Sequence, residues 1–112
     1  MAGKREDAML IVELAKWGSM IGLPEASRTI FSDDFDSESA EALDPHVQTM
    51  LVFHETVGTL VKNGLLDRDL VLDWLWVSGA WDRVGRAALE ARAAAGVPEL
   101  WENFETLAQS QA

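Results

Sequence analysis

Apolar residues in this chain recur at intervals of three and four, a period that helices satisfy and strands do not. Leu10, Leu14, Trp17 and Ile21 form the first such stripe, with Glu13, Lys16 and Ser19 pointing away from it. An amphipathic helix from about Arg5 to Gly22 follows. Pro24 stands where a missing N–H costs nothing, so the next helix is a short one over Glu25 to Phe31. Asp44 and Pro45 open a longer helix as N-cap and first residue, with Val47, Met50, Leu51, His54, Val57, Gly58 and Val61 on one face. Asn63 and Gly64 close it, because glycine accepts the left-handed backbone of a helix C-terminus. Asp67 caps a further helix whose stripe is Leu70, Trp74, Val77, Trp81, Val84 and Ala88, with a bend expected at Ser78 and Gly79. That helix ends at Gly96. Pro98 opens the last one, with Leu100, Phe104, Leu107 and Ala108 on its apolar side. No segment alternates with period two, and no internal repeat is present. The expected fold is all-α, a single helical domain over residues 1–112: a compact bundle of four main helices plus one short helix.

Between the second and third helices, residues 32–44 carry Asp33, Asp34, Asp36, Glu38, Glu41 and Asp44 and no base. The whole chain has 9 Lys plus Arg against 19 Asp plus Glu, a formal charge of −10, which repels phosphate backbones and argues against nucleic acid as a partner. Calcium would suit the acidic run, but an EF-hand begun at Asp34 has Ser39 where a glycine turn belongs and Pro45 where a bidentate glutamate belongs. The run reads as a solvated, mobile loop. There is no Cys, hence no thiolate metal site and no disulfide framework. A dinuclear site built from Glu-x-x-His also fails: Leu43 precedes His46 by three and Leu51 precedes His54 by three. No catalytic, metal or cofactor-binding residue set is visible. Charges at Glu13 and Lys16 interrupt the first apolar stretch, so no membrane span is expected, and a cytoplasmic setting is.

Two groups of residues remain. His54 sits inside an apolar stripe, where it is either a neutral ring satisfied by a carbonyl or a carboxylate, or a polar group on the wall of a pocket shared with Trp74 and Trp81. Leu72, Trp76, Ala80 and Arg83 lie opposite Trp74 on the same expected helix. That second apolar face must be covered by the chain itself, by a second copy in a homodimer, or by another protein. The reading is therefore a small acidic protein–protein interaction or homo-oligomerising module, with a small-molecule-binding domain as the alternative.

From Glu55 onward the chain resembles a domain-of-unknown-function family of small bacterial proteins. The residues carrying the likeness are Glu55, Gly58 and Leu60, then Gly64-Leu65-Leu66-Asp67 with Leu70 and Val71, then Trp74, Trp81 and Arg92, and finally Gly96-Val97-Pro98-Glu99-Leu100-Trp101-Glu102-Asn103-Phe104-Glu105-Thr106-Leu107-Ala108. Some members of that family begin with a hydrophobic anchor helix, from which this chain departs at Glu13 and Lys16. The resemblance implies a helical fold and assigns no activity, cofactor or site residue.

Overall fold

The computed structural model describes residues 4–111. Among them lie six helices: α1 (Lys4–Met20), α2 (Leu23–Ile30), α3 (Pro45–Lys62), α4 (Arg68–Trp74), α5 (Val77–Ala95) and α6 (Glu102–Gln109). The all-α class is as the periodicity requires, but the count differs in one place. The long helix expected from Asp67 to Gly96 is two helices, broken at Leu75 and Trp76 rather than bent at Ser78 and Gly79. Leu75 is fully extended, with φ −119° and ψ 139°.

The cause of the break lies far along the chain. The Gln111 side chain accepts the Ser78 N–H at 2.7 Å and donates to the carbonyls of Leu72 and Leu75, both at 3.1 Å. It thus satisfies backbone groups at the end of one helix and the start of the next, groups that a continuous helix would have paired internally.

Helix α3 is central and packs against α2, α5 and α6. Its stripe is the core: Val47, Met50, Leu51, Phe53 and Val57 are all at most 1% exposed. The glycine-terminated ends form as the sequence leads one to expect. Gly64 and Gly96 have φ of 72° and 67°, and each is followed by a residue whose N–H reaches back five positions, Leu65 to Leu60 and Val97 to Arg92. The last helix starts later than Pro98 leads one to expect, at Glu102, after a turn in which Trp101 adopts φ 63°.

The 32–44 segment, expected as a mobile loop, carries attachments to the helices. It contains no base, but α5 brings two: Arg83 lies 5.4 Å from the Phe35 ring, and Arg86 donates to the Glu38 carbonyl and pairs with its carboxylate at 3.7 Å. Ala40 is buried, and Asp36 accepts the Glu38 N–H and the Ser39 hydroxyl, both at 3.0 Å, which holds its carboxyl below the ordinary value. Asp44 stands at the N-cap position, yet its carboxylate turns back to accept the Glu41 N–H instead of capping α3.

Helix α1 lies at the edge. Trp17 stacks on Phe53 with centroids 5.7 Å apart, and Leu14 and Gly18 are buried. Its other side leaves Met9, Val12 and Met20 between 54% and 83% exposed.

Candidate functional site

The break between α4 and α5 decides what becomes of the second apolar face. With the helix interrupted, Leu72 and Trp76 no longer share one face, and Trp76 becomes the residue at the corner. Trp76 is 66% exposed, and its indole stacks on Phe31, itself partly exposed at the end of α2, with centroids 5.5 Å apart and planes 11° from parallel. The indole also lies against Gly79. A Cβ built there would come within 2.3 Å of the ring, so only glycine lets the ring lie flat.

The other members of the expected face lie elsewhere. Ala80 is buried in the core, which corrects its place on that surface. Arg83 points to α2 and donates its Nε to the Ile30 carbonyl at 2.8 Å and its Nη2 to the Ser32 carbonyl, closing the C-terminus of that helix. Leu72 is half-buried and packs against the core. What stays exposed of the expected face is therefore Trp76, paired with Phe31. Phe31 was not singled out in the sequence because its partner lies 45 residues away; Gly79, one turn past Trp76, was the available hint of a ring lying on the backbone.

His54, Trp74 and Trp81 are brought together, though not around an opening. Phe53 stands edge-on to both Trp74 and His54, at 6.0 and 5.5 Å, and Phe104 stacks on His54 at 4.7 Å and meets the edge of Trp81 at 5.0 Å. The two phenyl rings fill the space between the three. His54 Nδ1 lies 2.8 Å from the Met50 carbonyl, one turn back on the same helix, which fixes the tautomer with a proton on Nδ1. Desolvation pushes its pKa down to about 4, so it is a neutral core residue at pH 7.

Several of the residues that carried the resemblance lie at the α3–α6 junction. A Cβ on Gly58 would lie 2.6 Å from the Asn103 carbonyl oxygen, so glycine is what lets the two helices approach. Across the same contact Glu55 Oε1 accepts the Phe104 N–H at 2.9 Å, capping α6 from α3, and partial burial raises the pKa of that carboxyl. Arg92 of α5 donates to the Leu100 carbonyl at 2.8 Å and pairs with Glu105 at 3.0 Å. These residues hold α3, α5 and α6 together.

Between α2 and the acidic loop lies an open hollow of about 770 Å³, with Asp34, Asp36, Asp44 and His46 on its wall. No three His, Asp or Glu side chains among the described residues draw together as a metal site. No helix among the described residues is long and apolar enough to cross a membrane.

Compared with known families, the chain matches the model of one, a domain of unknown function (DUF4760), over residues 4–110. No curated protein matches, and neither does any solved structure.

Proposed function

The chain belongs to the DUF4760 family, and for it we propose a role as a protein–protein interaction module that pairs with a second copy of itself through the Trp76–Phe31 surface. One observation carries the proposal: a tryptophan 66% exposed whose ring is nonetheless packed against Phe31 and Gly79. Rings fixed in the free protein lose little entropy on docking, and tryptophan is the side chain most often found to dominate an interface. A two-fold axis beside Trp76 sets each pair against its counterpart, since an isologous contact uses the same patch twice. The same proposal places the protein in the cytoplasm, a setting suited to its cysteine-free sequence.

Charge supplies the discriminating test. Two chains of −10 repel, and salt screens that repulsion, so the dimer tightens as salt rises. Docking onto a basic partner would weaken instead. In light scattering or sedimentation, Trp76→Asp is expected to remain folded, because the site is exposed, and to lower self-association at least 30-fold, the equivalent of about 2 kcal/mol. A wild type that stays monomeric at high concentration and high salt overturns the homodimer.

A further inference from the structure

A second feature stands apart from the Trp76 corner, where the N-terminal turn of α1 meets α4. The Asp7 carboxylate is 3% exposed, and its Oδ1 is buried without a hydrogen-bond partner. A desolvated carboxylate calls for a cation or donor to replace the water it has lost. Asp7 lines a cleft of about 410 Å³ together with Lys4, Asp67, Asp69, Leu70 and Asp73. Lys4, one helical turn before Asp7, leaves the Asp7 Oδ1 without a partner. The other carboxylates are differently engaged: Asp67 accepts the Leu70 N–H at 2.9 Å, Asp69 lies 3.6 Å from Arg68, and Asp73 pairs with no cation among the described residues. Four carboxylates against one lysine make the cleft strongly anionic, and Ala8 and Leu70 give it an apolar side.

The shape decides which cation. These carboxylates line the wall of a wide cleft and do not converge on one point, and no three of them form a metal-sized group. A small divalent ion needs several oxygens at about 2.0 to 2.6 Å. An alkylammonium does not: its three N–H donors reach separate oxygens while its methylene stem lies on apolar surface. We propose that the Asp7 cleft binds a primary alkylammonium group, supplied by a free diamine or polyamine or by a lysine side chain of a peptide.

The test is calorimetric titration of the full chain at 150 mM salt, the salt serving to suppress diffuse attraction to the −10 surface. The probes are 1,4-diaminobutane, spermidine, a lysine-containing peptide and magnesium chloride. Saturable 1:1 binding of at least one amine is expected, with magnesium far weaker. Binding by the peptide but not the free amines identifies a partner's lysine as the source; binding by the free amines identifies a small-molecule ligand. Asp7→Asn, nearly the same shape, is expected to weaken binding at least tenfold, and Asp73→Asn, on the exposed rim and no threat to folding, about threefold. Asp36→Asn in the 32–44 segment is expected to change nothing. Equal affinity in the Asp7 and Asp36 variants overturns the proposal, as does magnesium binding as well as the amines or no saturable amine binding at all. Self-association through Trp76 is read separately, so either result leaves the other standing.

Discussion

Two helices of this protein begin in opposite ways. Helix α4 is started by its own sequence: Asp67, immediately before it, accepts the N–H of Leu70 three residues on. Helix α6 is started from elsewhere. Trp101 before it holds a left-handed backbone and offers no side-chain cap, and the acceptor is Glu55, 49 residues earlier on α3. The first arrangement stabilises one turn of one helix. The second makes the start of a helix conditional on its docking, so losing it loosens a helix–helix contact along with a hydrogen bond.

The largest test of that contrast is pH, acting through His54, whose ring stacks on Phe104 at the same α3–α6 junction. Its folded pKa is depressed to about 4 from 6.5, so the unfolded chain binds more protons between those values. Its contribution is fully present above pH 6.5 and is lost as pH falls toward 4, a destabilisation of about 3 kcal/mol at 1.36 kcal/mol per unit. Glu55, whose folded pKa is raised from 4.5, acts in the opposite sense as pH rises through its own window and offsets part of that slope. Denaturant melts between pH 7.5 and 4.5, with hydrogen exchange, are expected to show α6 amides losing protection before those of α4. Simultaneous loss would break the contrast.

Gly58→Ala comes next. The added Cβ meets backbone, the Asn103 carbonyl at 2.6 Å, so the helices must separate, and a cost of about 2 kcal/mol is expected despite alanine's better helix propensity. An unchanged denaturation midpoint would show that the junction has slack.

The smallest effects give the most direct comparison. Glu55→Ala removes a hydrogen bond from a charged acceptor and is expected to cost about 1.5 kcal/mol. Asp67→Ala is expected to cost about 1 kcal/mol. The distinction lies in where the damage appears: exchange should quicken in α6 and at its contact with α3 for the first, and only in the first turn of α4 for the second.

The same division separates what could be read in the sequence from what could not. The α3 stripe is a repeat at local spacing, and the glycine ends at Gly64 and Gly96, the Asp67 cap and the satisfied His54 rest on partners within five residues, so pattern and spacing were enough. The features that were misread depend on distant side chains. Gln111 satisfies the backbone groups freed at the break by Leu75 and Trp76, Glu55 caps α6 from α3, and Arg83 and Arg86 fasten an acidic segment that has no base of its own. The candidate surface shared this fate. Trp76 was legible as an unusual tryptophan, but Ala80 and Arg83 were placed beside it on a helix that does not continue through that point.

The Gln111 amide also bears on how the chain matures. A protein is synthesised from its N-terminus, and residues 72–78 leave the ribosome long before residue 111 follows them. Until then the three backbone groups that Gln111 later holds have only water or each other, and a continuous helix from Asp67 to Ala95 is the arrangement that pairs them locally. The nascent chain is thus biased toward the straight helix its own periodicity encodes, and the corner that turns Trp76 onto Phe31 waits for residue 111. An adhesive aromatic pair that assembles only after residue 111 has emerged is one that copies synthesised no further than α5 cannot use to stick to each other.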